Sequence, residues 1–151
     1  MRQSRMVWVA LLLAALAPAA MAADVGLVKT SRGGVAILRD GQELPAPAGT
    51  AVRQSDRIVT KSDGSAGITF KDNSLLSLGP DSSLEISLFS FGDQSQPDAL
   101  EATLNRGTLS AVSGKIVAKT PEAMKIHTPT TVLGVRGTEF FVKVTNPDPA
   151  K

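Results

Sequence analysis

Between Asp56 and Phe89 the chain switches from apolar to turn chemistry every few residues, and that rhythm restricts it to short strands. Turn residues cluster at Ser62-Asp63-Gly64-Ser65, Lys71-Asp72-Asn73-Ser74 and Gly79-Pro80-Asp81-Ser82, with the three aspartates nine residues apart. The intervals, Ala66 to Phe70 and Leu75 to Leu78, are too short for helices and have no 3.6-residue stripe. Leu84, Ile86 and Leu88 then alternate with Glu85, Ser87 and Phe89, which predicts a strand with one buried face. Evenly spaced short strands predict an all-β sandwich, barrel or solenoid-like roll rather than alternating βαβ units. Three similar turns are too weak a self-similarity for a repeat array, so the reading is a single domain of short antiparallel strands.

The rest of the chain fits the same reading. Gly34 to Leu38 predicts a strand closed by a hairpin signal at Asp40-Gly41. Leu44 to Gln54, with Pro45 and Pro47, predicts a loop or a weak edge. Gly92 to Asp98 is polar and predicts an exposed loop. Strands are expected at Leu100 to Leu104 and Thr108 to Val112, separated by a turn at Asn105-Arg106-Gly107. Ile116 to Lys119 and Met124 to His127 read as further short strands, on either side of Pro121. In the last block Phe140, Val142 and Val144 share one face, and Phe141, Lys143 and Thr145 the other. Residues 146–151, with Pro147 and Pro149, cannot continue a ladder and are expected to form a flexible tail.

The N-terminus predicts export. Arg2 and Arg5 precede the apolar run Val7 to Ala17, Pro18 breaks it, and Ala20-Met21-Ala22 offers small residues for a signal peptidase. A membrane span needs about 20 apolar residues, so this run is expected to be a cleaved signal peptide over 1–22, not an anchor. The domain is then 23–145, in the periplasm. Arg2 and Arg5 leave with the leader, so Lys plus Arg falls from 16 to 14 against 14 Asp plus Glu. A formally neutral domain has no electrostatic footprint for nucleic acid. It has no cysteine, so its stability rests on an apolar core even where disulfides are permitted.

The run Thr60-x-Ser62-Asp63-Gly64-Ser65-Ala66-x-Ile68-x-Phe70-x-Asp72-x-Ser74-x-Leu76-x-Leu78-x-Pro80-x-Ser82-x-Leu84 resembles the central part of the FecR domain. Leu104-Asn105-Arg106-Gly107-Thr108-Leu109 is similar to that family's L-x-x-G-x-[LV] element. Thr128-Pro129 followed by Gly134-Val135-Arg136-Gly137-Thr138-Glu139-Phe140 resembles its C-terminal signature. The three elements come in the family's order between about Gly26 and Val144. The resemblance implies a periplasmic β-rich module. In the family's regulators that module follows a cytoplasmic anti-sigma region and one span, and it receives a signal from an outer-membrane TonB-dependent transporter. Only a leader precedes the domain in this sequence, so the module is expected without the transducing parts.

Candidate chemistry is sparse. Asp63, Asp72 and Asp81 raise calcium as a possibility, but the glycine-rich nonapeptide of calcium β-rolls is missing and turn capping is the expected use. His127 is the only histidine and has no companions at metal-ligand spacing. Neither a serine elbow nor a cysteine nucleophile is present, and no acidic pair stands out. No catalytic residue, cofactor or metal is therefore expected. The only Trp, Trp8, lies in the leader and there is no Tyr, which removes the usual anchors of binding hot spots and of sugar stacking.

Four residues remain as candidates for contact with a partner. Phe89 and Phe91 end an unusually apolar run, Leu84 to Phe91, suited to core packing or to docking by strand addition. Phe140 and Phe141 are adjacent in a predicted strand, so their rings point to opposite faces and one of them, with Phe141 the candidate, is exposed or sandwiched by a second layer. Arg136, between Gly134 and Gly137, is read either as a recognition residue or as the partner of an acidic neighbour. The expected function is an exported binding or sensory module that docks an envelope protein. The alternative is a scaffold of the cell envelope that binds cell-wall polymer or self-associates.

Overall fold

The computed structural model describes residues 22–145; the predicted leader and tail lie outside them. The described chain is all-β, with twelve strands and one five-residue helix. The strands are β1 (Asp24–Arg32), β2 (Val35–Arg39), β3 (Gln42–Pro45), β4 (Ala51–Arg53), β5 (Arg57–Thr60) and β6 (Ser65–Phe70). They continue as β7 (Leu75–Leu78), β8 (Ser83–Ser90), β9 (Ala99–Val112), β10 (Met124–His127), β11 (Val132–Gly134) and β12 (Glu139–Val144), with helix α1 (Lys115–Lys119) after β9.

All twelve strands belong to one curled sheet, hinged on β9. One leaf runs β3-β2-β5-β8-β9-β10-β11 and the other β12-β9-β7-β6-β1-β4. Fully buried residues of both leaves, among them Ile37, Ile58 and Leu84 on one and Val28, Ile68 and Leu76 on the other, form a single core. The inward alternation is cleanest on β9, where Leu100, Ala102, Leu104, Leu109 and Ala111 are all buried. Neighbours are antiparallel except β9 and β10, and that rules out stacked solenoid coils.

Several local expectations need correcting. The turn expected at Asn105-Arg106-Gly107 is the bend of a continuous 14-residue strand. Gly107 carries φ +91, and a Cβ there would overlap Ser82 Oγ and come 2.5 Å from Ser82 Cα. Glycine lets β9 change direction there, so that residues 99–106 pair with β8 and residues 107–112 pair with β7 and β12. The region Leu44 to Gln54 supplies two short strands, β3 and β4, each at an end of the sheet, as the weak-edge reading anticipated.

The run expected to be a strand at Ile116 to Lys119 is α1, and its start is organised by the turn at Asp72. Lys115 N–H donates to the Asp72 carbonyl (2.8 Å) and Ile116 N–H to Asp72 Oδ2 (3.3 Å), while Gly114 N–H donates to Ser74 Oγ (3.0 Å). The same fully buried carboxylate accepts from Ser74 N–H (3.0 Å) and Ser74 Oγ (2.7 Å). Asp72 thus caps its own turn and a helix 44 residues away, which no local pattern announces.

The second buried carboxylate is Asp56, at the start of β5. Arg39 Nε and one of its terminal nitrogens donate to Asp56 Oδ1 (2.8 Å) and Oδ2 (2.6 Å), a two-pronged pair. Arg53 N–H adds a donor to Oδ2 (2.8 Å), and Arg39 also donates to the Ala51 carbonyl (2.9 Å). The bond to Asp56 outweighs partial burial and raises the Arg39 pKa above its ordinary value. This knot ties β2, β4 and β5, joining a strand at the far edge of one leaf to the interior of the other.

Candidate functional site

Phe89 and Phe91 meet at the end of β8. The pairing of β8 with β9 slips by one residue between Ile86 and Leu88, so Ser87 is a bulge residue. The bulge reverses the inside–outside order predicted from alternation. Phe89, expected outside with Glu85 and Ser87, pairs with fully buried Leu100 and stacks on Phe70 at 5.5 Å between ring centroids. Leu88 moves to the side of Glu101.

Phe89 and Phe91 are half-buried against the core and line an open cleft of about 360 Å³, together with Asp24, Gln54, Lys71 and Asp93. Gln54 Oε1 accepts the Phe89 N–H (3.2 Å), which occupies the strand edge there. Ser90 also lines the cleft, and its buried Oγ has no hydrogen-bond partner among the described residues.

The rim of the cleft is the loop after Phe91. Asp98 accepts from Gly92 N–H (2.9 Å) and from Lys119 Nζ (3.1 Å), and these bonds lower its pKa below the ordinary 3.8. Asp93 accepts from Ser95 Oγ and N–H, which lowers its pKa in the same way. A carboxylate with a depressed pKa contributes its stabilisation above the unfolded value and loses it as pH falls through the folded value. The Gly92 and Ser95 amides are therefore expected to stay bonded at pH 3.8, where a free aspartate is half-protonated, and to lose the bonds only at lower pH. An NMR titration of those two amides checks this, and a midpoint at or above 3.8 would contradict it.

The outer faces of the two leaves differ in chemistry. On the β2 leaf, Arg57 pairs with Glu85 (2.8 Å), and Glu101 receives both His127 Nε2 (3.0 Å) and Lys125 Nζ (3.9 Å). His127 thus belongs to a charged cross-strand row. On the other leaf, the outward positions of β6, β7 and the end of β9 (Ser65, Gly67, Thr69, Leu75, Ser77, Thr108, Ser110 and Val112) carry no charge. Phe141 continues this face on β12, opposite Ser110, and is 66% exposed, as the alternation predicted.

Arg136 lies between β11 and β12 and donates to Glu122 Oε1 (2.7 Å), with both side chains more than two-thirds exposed. This is the acidic neighbour that one reading of Arg136 anticipated, and so exposed a pair holds little energy. The four candidates do not converge, because the residues lining the Phe89–Phe91 cleft include neither Arg136 nor Phe141. The three regularly spaced aspartates also stay apart in role. Asp63 accepts from Gly34 N–H (3.1 Å), Asp72 caps α1, and Asp81 holds a turn at φ +51. Among the described residues no three His, Asp or Glu side chains gather as a metal site would require.

The domain is thus curled and all-β, with an aromatic cleft, a neutral sheet face and open strand edges. The family model described as FecR protein matches residues 56–150, more than half of the chain. The chain belongs to the FecR family, whose domains are signalling and regulatory modules associated with the cell envelope. No curated protein and no solved structure matches it. The match starts at Asp56, whereas the resemblance in the sequence began near Gly26; β1 to β4 precede it yet supply strands to both leaves. Among the described residues no helix is long and apolar enough to cross a membrane.

Proposed function

We propose that this FecR-family module is exported to the periplasm, loses a leader of about 22 residues, and senses the envelope by docking a segment of an envelope protein at the Phe89–Phe91 cleft. The observation that carries the reading is the bulge at Ser87, which sets Phe89 on Phe70, with Phe91 beside it in the lining of the cleft. Rigid aromatic anchors lose little conformational freedom on binding, and Gln54, Lys71 and Asp93 supply polar contacts around them. Arg136, tied to Glu122 on an exposed turn, lies outside the cleft lining and serves as a control position.

The test places a photo-crosslinking amino acid at Phe91 or at Arg136 in cells and identifies the adducts by mass spectrometry. Phe89 is avoided because its ring is part of the core stack. One envelope protein recovered from Phe91 and not from Arg136 is the expected result. Adducts only with cell-wall fragments would replace docking by a scaffold role, and no adduct from Phe91 would remove the cleft as a docking site. N-terminal sequencing of the same protein is expected to start near Ala23, and an intact Met1 would overturn the export reading.

A further inference from the structure

The edge of the sheet at β12 carries a pattern that fits a second copy of itself. Among the described residues β12 is paired on one side only, by β9. The phase of that pairing is set by Ser113 N–H, which donates to Thr138 O at 2.8 Å. Bonded and non-bonded pairs alternate along an antiparallel ladder, so Phe140 and Val142 exchange bonds with Ala111 and Leu109. The N–H and C=O groups of Glu139, Phe141 and Lys143 consequently point away from β9, along the open edge. The side chains of the same three residues stand on the exposed face.

These three residues are symmetric in sequence and opposite in charge about Phe141. Among the described residues neither Glu139 nor Lys143 has an ion-pair partner, whereas Arg39, Arg57, Glu85, Glu101 and Lys125 on the other leaf are all paired. We infer that β12 pairs antiparallel with β12 of a second copy of this chain, with a two-fold axis at Phe141. In that register Glu139 faces the second copy's Lys143 at both ends, Phe141 faces Phe141, and all the outward backbone groups of the three residues find partners.

The neighbouring registers that keep the backbone groups matched move the axis to Phe140 or Val142. The first sets Phe141 against Glu139 and the second sets Phe141 against Lys143, so each loses the charge match. Joined in this way, the two neutral outer faces are separated only by the paired β12 strands, whose Glu139 and Lys143 side chains match in charge across the axis. The inference is independent of the Phe89–Phe91 cleft, which lies on β8, and either can fail alone.

Sedimentation equilibrium of the purified exported protein is expected to show a monomer–dimer equilibrium. K143E turns both attractive pairs into repulsive ones and should raise the dissociation constant about tenfold or more. The double variant E139K/K143E restores opposite charges by symmetry and should return the dimer. The chain has no cysteine, so F141C gives an unambiguous crosslink. A bonded antiparallel pair sets Cα atoms about 5.5 Å apart, within disulfide reach, so F141C should oxidise to a covalent dimer while L27C, on β1, should not. A wild type that stays monomeric, a K143E variant that dimerises as well as wild type, or a charge swap that fails to restore the dimer would each overturn the pairing.

Discussion

Asp56→Ala is expected to destabilise the domain by about 3–5 kcal/mol, because it leaves the Arg39 guanidinium and the Arg53 N–H without their common acceptor. Asp56 is 1% exposed and the Arg39 side chain 20%, so water replaces the lost bonds only in part. Single domains are stable by about 5–15 kcal/mol, and the variant would thus lose a large share of its margin. Urea unfolding followed by circular dichroism measures the loss. Replacing both partners with apolar residues of similar size should recover much of it, since no buried charge is then left alone. The comparison is Arg136→Ala, which breaks an exposed pair with Glu122 and should change stability by less than about 0.5 kcal/mol. A loss below about 1 kcal/mol for Asp56→Ala would mean that the knot holds no more than a surface pair does.

Gly107→Ala is the second large effect, at about 2–6 kcal/mol, built from two sources. At φ +91 an L-residue is strained by about 1–3 kcal/mol. Its Cβ would also be driven into Ser82, whose Oγ already accepts from Thr108 N–H at 3.0 Å, and such overpacking costs about 1–3 kcal/mol. Gly41→Ala separates the two, because Gly41 has φ +76 but open space around it. It should show only the strain. Thermal unfolding of both variants is the measurement, and equal shifts would show that contact with Ser82 plays no part.

What the sequence made legible follows from how local each cause is. β6 and β7 are each set by an apolar run between turn residues, and their bounds agree with the reading to within a residue or so. The alternation on β12 placed Phe141 outside for the same reason. Errors came where distant parts of the chain decide the outcome. Asn105-Arg106-Gly107 has the composition of a turn, yet the strands on either side of it belong to different leaves and need only a bend. Ile116 to Lys119 became helical because Asp72 and Ser74 satisfy its first N–H groups, an arrangement brought about by tertiary packing.

The same distinction applies to the candidate site. Period-two counting cannot detect a bulge, so it places Phe89 on the outer face, and only the pairing of Ser87 reverses this. The Arg39–Asp56 knot spans 17 residues and offered no sequence signal beyond an aspartate just ahead of a strand. In the sequence Phe89 and Phe91 stand out only as an apolar run; the cleft they line also needs Asp24 and Gln54, from much earlier in the chain.

The sharing of β9 between the leaves also fixes when this protein can fold. Residues 1–98 contain two four-stranded pieces, β3-β2-β5-β8 and β7-β6-β1-β4, but each ends in a strand whose neighbour has yet to be made. The core lacks Leu100, Leu104 and Leu109 until the same segment appears. The β8–β9 pairing is a local hairpin, but β9 meets β7 across more than 30 residues, and such contacts form slowly because the loops they close must be ordered first. A nascent chain therefore stays open for most of its synthesis and closes late, around a single segment, which is the property a polypeptide needs if it must be threaded through a narrow channel before it folds.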